Sequence, residues 1–217
     1  MRALARLRTA SAITLLAFVA AASAAAPVET FPNVALRTQD GTPVRFYDDL
    51  VKGKVVLINF FFTSCTNICP RTTGNLVKVE EALGERLGRD VVMISITVDP
   101  KTDTPAVLQQ YARRYGTRPG WHFVTGDPKD LESLRRRLGA NRDGGDKTQH
   151  TGILFYGNDA TGQWAATPAM GDPQGIARSV LRLARPAAAT APPPGPRTAS
   201  ATNRSPTRRT RTSCRPT

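Results

Sequence analysis

Two cysteines four residues apart, Cys65 and Cys69, lie in the stretch VVLINFFFTSCTNICP, where an apolar run gives way to a short polar loop. Thiols so spaced can hold a soft cation, or form and break a disulfide. At regular helical geometry, residues i and i+4 share a face with Cβ atoms about 5–6 Å apart. A disulfide needs Cβ atoms about 3.5–4.5 Å apart. The spacing therefore leans toward a metal, and it allows a strained, reducible disulfide only if the first helical turn is unwound. The positive end of a following helix is expected to lower both thiol pKa values.

Two thiolates alone do not close a coordination shell, and the chain has only two histidines to offer. His122 stands between Trp121 and Phe123 in a short apolar run and reads as structural. His150 follows a glycine-rich, charged stretch at 141–149 and opens another apolar run, at a sheet edge from which a side chain can meet the dithiol. Two sulfurs and an imidazole from Cys65, Cys69 and His150 would suit copper, Cu(I) in particular, and could accept Cu(II). Zinc competes on ligand type, although a structural zinc site normally shows a fourth ligand. Cys214 has no cysteine or histidine near it in sequence and reads as an incidental exposed thiol.

The surrounding pattern says what positions these groups. Residues 31–36 and 42–47 flank the turn signal Gln39-Asp40-Gly41 and predict a hairpin. The runs at 55–62 and 91–98 are apolar on both faces, as buried parallel strands are. Between them, Leu76, Val79, Leu83 and Leu87 recur at helical spacing, which predicts a helix over 70–87. Thr104-Pro105 and Asp127-Pro128 supply a cap and an N1 proline to two further helices. A short strand is expected at 121–125, and the run Arg135-Arg136-Arg137 reads as a solvated helix end. A second hairpin is expected from 150–156 and 163–166, turning at Gly157-Asn158-Asp159, with a last helix at 173–185. This order predicts an α/β thioredoxin-like fold: a central mixed sheet flanked by helices, plus an N-terminal β-hairpin.

The chain ends carry most of the charge. Three arginines before residue 10 and six in the tail from Pro186 supply nine of the thirteen excess positive charges, leaving only +4 for 27–185. A nucleic-acid partner thereby loses its electrostatic argument. Residues 1–26, basic and then apolar and small, read as a signal peptide or N-terminal membrane anchor, so the domain at 27–185 is expected to be exported. Residues 186–217, rich in Arg, Pro and Thr, read as a disordered tail.

The segments FFFTSCTNICP, VDPKTDTPAVLQQYARRYG, WHFVTG and HTGILFYGNDATG resemble, in order and spacing, the Sco/SenC family of copper-binding assembly proteins of cytochrome c oxidase. The resemblance spans about 28–185 and implies a thioredoxin-like domain facing a membrane, in the periplasm or on the outer face of the cytoplasmic membrane. It implies copper as the metal and places the family's ligands on Cys65, Cys69 and His150. The family's Asp-Pro element falls on Asp99 and Pro100, where Asp99 reads as supporting the ligands from behind or shaping its loop, and not as a ligand. Between the cysteines this chain has Thr66 and Asn67 where the family commonly has proline and aspartate.

The implied function is a copper metallochaperone or thiol-disulfide reductase serving the dinuclear copper centre. Its partners would be the copper-bearing oxidase subunit and other copper carriers or thiol reductants, with membrane association through the N-terminus. In the reductase variant Cys65 and Cys69 are the redox-active pair. The alternatives are a general exported thiol-disulfide oxidoreductase or peroxidase, and a copper or redox sensor. Against the first, the pair lacks the two-residue spacing of thioredoxin motifs.

Overall fold

The structure is a computed structural model and describes residues 31–140 and 152–184. The expected signal or anchor segment, the tail with Cys214, and His150 lie outside the described residues. Among the described residues no helix is long and apolar enough to cross a membrane.

Seven strands form one sheet in the order β2-β1-β5-β4-β3-β6-β7. They are β1 Ala35–Thr38, β2 Pro43–Arg45, β3 Val55–Phe61, β4 Val91–Thr97, β5 Trp121–Gly126, β6 Ile153–Asn158 and β7 Gln163–Pro168. The central strands β3, β4 and β5 run parallel, and every other pairing is antiparallel. The mixed sheet expected from the sequence is therefore observed. Among the described residues four α-helices cover it: α1 Ile68–Leu83, α2 Pro105–Tyr115, α3 Pro128–Arg137 and α4 Pro173–Leu183.

β3 and β4 are buried at every position, as strands with both faces covered must be. Alternate residues feed two separate cores. Val55, Leu57 and Phe61 pack with Leu76, Leu108 and Ile176 from α1, α2 and α4. Val56, Ile58 and Phe60 face the opposite way, toward Leu131 and Leu134 of α3 and a π-helical turn at Phe46–Val51. That turn, which no sequence signal announced, closes the second core with Phe46, Leu50 and Val51.

Two other local readings needed revision. The second hairpin turns at Asp159–Thr161, two residues later than expected, because Gly157 pairs with Trp164 inside the ladder. A Cβ on Gly157 would come within 2.4 Å of the Trp164 ring, so this glycine serves close packing and not a turn. The turn chemistry comes instead from Gly162, at φ 67°, and from Asp159, whose carboxylate accepts the Gly53 N–H at 2.8 Å. The arginine run is also not uniformly solvated: Arg135 is buried, while Arg136 and Arg137 are exposed.

The start of β5 is locked to α1 by Glu80, which is 2% exposed. Its Oε1 accepts the Arg118 N–H at 2.7 Å, and the Arg118 guanidinium donates back to the Glu80 carbonyl at 2.6 Å. Burial raises the Glu80 pKa, and Arg118 only partly offsets it. The folded chain thus takes up this proton more readily than the unfolded chain, so the stability contributed by Glu80 grows as pH falls through its raised value. Glu80→Gln should abolish that slope and retain the Arg118 acceptor. Glu80→Ala should cost on the order of 3 kcal/mol at neutral pH, read from urea unfolding across pH.

Candidate functional site

β3 delivers its C-terminal end to the sheet edge, and the chain leaves it through Phe62 and a loop at 63–67 before α1 begins at Ile68. α1 forms here because Cys69, Thr72, Leu76, Val79 and Leu83 recur on one buried stripe. Cys69 is the first member of that stripe and is 2% exposed, whereas Cys65 lies in the loop and is 9% exposed. Since Cys65 precedes the helix, the four-residue spacing does not impose regular helical separation. The loop folds back and brings the two thiols into hydrogen-bonding contact. Both are free thiols, and the geometric objection to a disulfide that rested on an unbroken helix is removed.

The start of α1 explains the electrostatics. Asn67, at the N-cap position, makes no side-chain cap. The Cys65 sulfur takes over, accepting the Cys69 N–H at 3.4 Å. Burial pushes the Cys65 thiol up, but the Cys69 thiol and the backbone amides of Cys69, Asn67 and Ile68 all donate toward its sulfur, and together they bring its pKa below the ordinary thiol value. Cys69 goes the other way. Burial, and the loss of the hydrogen bond it donates to Cys65, push it up to about 12. The expectation that the helix end lowers both thiols is thus corrected: the helix favours one thiolate, and the second cysteine keeps its proton as a donor to the first.

A buried carboxylate fixes this loop. Asp103 is fully buried. Its Oδ1 accepts the Thr63 hydroxyl at 2.5 Å, and its Oδ2 accepts the Thr63 N–H at 3.1 Å and the Thr97 hydroxyl at 2.5 Å. The loop that carries Cys65 is therefore tied to the end of β4. Nothing in the local sequence marks Asp103, since only the neighbouring Thr104-Pro105 reads as a helix start. Thr104 does cap α2, accepting the Val107 N–H at 3.4 Å. Asp99 shapes its own loop, as expected: its carbonyl accepts the N–H groups of Thr102 and Asp103, and its N–H donates to Thr97 Oγ1.

His122 is half-buried in β5, in register with Ile94. Phe61, after which the dithiol loop begins, is in register with Thr97, three residues further along β4. At about 3.3 Å per residue His122 sits some 10 Å short of that edge, consistent with a structural role. Among the described residues no group of three or more His, Cys, Asp and Glu side chains is placed to hold a metal. The dithiol therefore supplies two soft donors, and the expected third, His150, lies outside the described residues.

The profile of the SCO1/SenC family matches residues 25–185. The chain belongs to that family. It is 37% identical over 99 residues to the SCO1 protein homolog of Bacillus subtilis, a match covering 45% of this chain and 47% of that protein. The chain spans about half the length of the curated relatives it matches. Among solved structures, Bradyrhizobium japonicum ScoI with copper bound is similar at 27% identity and a TM-score of 0.56, covering 69% of this chain and 96% of that one. BsSco, described as a member of the Sco family of cytochrome c oxidase assembly proteins with a disulfide switch, is similar at 25% identity and a TM-score of 0.59, covering 70% and 91%. These neighbours share the thioredoxin-like fold.

Two outcomes test the site. In the reduced Cys214→Ser chain, iodoacetamide should label Cys65 first, at a pH below that of an ordinary thiol, and Cys69 only well above it, as mapped by mass spectrometry. Equal rates at both would contradict the asymmetry. Asp103→Ala strands two threonine hydroxyls and an amide, and should lower unfolding stability by on the order of 3 kcal/mol, with Asp103→Asn intermediate.

Proposed function

We propose that this protein is a copper carrier of the Sco type that receives and delivers copper as cargo through Cys65, Cys69 and His150, and that it serves assembly of the copper-bearing subunit of cytochrome c oxidase. The observation that carries this reading is the dithiol itself: two adjacent cysteine sulfurs at a sheet edge, not joined in a disulfide, one of them with a lowered pKa. Soft thiolate donors select Cu(I), and the copper-bound ScoI relative supports the same metal. Cys65 is the first donor, because its thiol gives up its proton more readily than an ordinary thiol. Cys69 gives up its proton only when a cation replaces that proton as the partner of the Cys65 sulfur. His150 completes the set, and a partner's thiolates take the ion by exchange. Export to the periplasm or the outer face of the cytoplasmic membrane, through the segment at 1–26, fits such a role.

A second reading has its own observation. With the sulfurs in contact, Cys65 can attack a partner disulfide, form a mixed disulfide and release one partner thiolate. Cys69, once deprotonated, then attacks Cys65, closing the Cys65–Cys69 disulfide and freeing the second partner thiolate. The disulfide switch of BsSco supports this variant.

Anaerobic titration of the reduced chain with Cu(I), against a competing chelator, should give one high-affinity ion, and Cys65→Ser, Cys69→Ser and His150→Ala should each weaken it at least about tenfold. Wild-type affinity for both copper oxidation states in His150→Ala would remove the histidine from the set. Rapid turnover of a disulfide or peroxide by the copper-free chain would favour an enzyme over a carrier.

A further inference from the structure

The dithiol is recessed. Cys65 is 9% and Cys69 2% exposed, so a partner atom reaches either sulfur only by bringing its own surface against the surrounding rim. Three segments build that rim: the dithiol loop with the first turn of α1, the β4–α2 loop, and the loop between β7 and α4. Asp103 of the β4–α2 loop accepts the Thr63 N–H at 3.1 Å. Gly152 lies so near the start of α1 that a Cβ on it would come to 3.0 Å from Ile68, and its carbonyl accepts the Ala169 N–H at 2.7 Å. Asn75 of α1 donates to the carbonyls of Ala169 and Gly171 at 2.8 and 2.9 Å.

The charges of this rim are one-sided. Residues 63–71 contain a single charged side chain, Arg71, which is exposed one turn into α1. Lys101 is exposed in the β4–α2 loop, two residues before Asp103. Among the described residues no carboxylate pairs with either cation. The acids of the same segments are engaged elsewhere. Asp103 is buried, Asp99 is half-buried, and Asp172 accepts the Gly175 N–H at 2.6 Å and lies 3.4 Å from Arg178. A cation near a helix N-terminus opposes the macrodipole, and α1 reverses the favourable arrangement throughout: its first turn has no acid and its last turn no base. Charge that works against its own helix without an ion pair to offset it marks a demand from outside the fold. The β7–α4 loop adds Met170, at 46% the one exposed large hydrophobic side chain among the described residues. Its flexible thioether suits contact with another surface.

We propose that this rim docks partner surfaces that are acidic around their own cysteines. The inference rests on the carrier or reductase role proposed above and names the chemistry of its partner. Carboxylates of such a partner meet Arg71 from α1 and Lys101 from the β4–α2 loop, and their attraction speeds the encounter. A second copy of this chain would instead bring like charges together.

The test is the rate at which two short peptides alkylate Cys65 in the reduced, copper-free full chain carrying Cys214→Ser. Each peptide bears one iodoacetyl group, flanked by glutamates in one and by lysines in the other, and mass spectrometry maps the modified sites. At about 0.1 M ionic strength charges are screened beyond about 10 Å. The acidic peptide should react faster than the basic one. Arg71→Glu with Lys101→Glu should lower the acidic-to-basic rate ratio at least about tenfold. Arg113→Glu with Arg114→Glu, the same change at the opposite end of α2 and more than about 10 Å away, should move it less than about threefold. A ratio unchanged in the first pair, or moved as far by the second, would assign any preference to the overall charge of the chain and overturn the proposal. Equal or faster reaction of the basic peptide with the unsubstituted rim would do the same. Alkylation requires no copper, so its outcome is read independently of the copper titration.

Discussion

The carboxylate of Asp103 has no contact with solvent, yet it accepts hydrogen bonds from the Thr63 amide, the Thr63 hydroxyl and the Thr97 hydroxyl. A carboxyl group so placed is tolerated only when its oxygens are satisfied, and here the donors come from the ends of two neighbouring strands. β3 and β4 pair along their whole length, from Val55 with Val91 to Phe61 with Thr97. That ladder stops where the functional loop starts. Asp103 extends the connection by one more step, so that the loop leaves β3 in a fixed direction and α1 begins where the Cys65 sulfur can accept from it.

Everything distinctive about the dithiol follows from that direction. Cys69 is part of the buried stripe of α1 and shares a core with Phe61, Leu76 and Ile176. Cys65 is outside the helix and receives its amides. Two chemically identical side chains are thereby made unlike: one is an acceptor for the helix end, the other a buried donor. Metal capture and thiol-disulfide exchange both begin with one thiolate and one thiol in reserve, which is why the site is compatible with carriage of an ion and with reduction of a partner. Membership of the SCO1/SenC family weights the first, and the contact between the sulfurs keeps the second in view.

The two faces of the sheet divide the labour. The α1, α2 and α4 face builds the dithiol and its aromatic floor, in which Phe61, Tyr111 and Phe123 pack with ring centroids 5.3–5.9 Å apart. The α3 face holds the π-helical turn, the second core and the buried Arg135. Both meet at the C-terminal ends of β3 and β4, so the loop after β4 borders the dithiol loop on one side and α3 on the other.

The amino-acid sequence by itself determined the helices, the strand order in the chain and the identity of the dithiol. Those features depend on local periodicity, on caps such as Thr104 and Asp127, and on the abrupt end of an apolar run at two cysteines. The family was also legible, because its motifs occupy fixed intervals. Only the tertiary structure decided how the two cysteines differ, since that depends on where the helix starts relative to Cys65 and on which residue enters the core. It alone showed that Asp103 anchors the loop, that Arg135 is buried in an otherwise exposed arginine run, and that Gly157 belongs to a strand under Trp164. Each of these depends on what a side chain meets from a segment distant in sequence, and burial and pKa are properties of that meeting, not of the residue type.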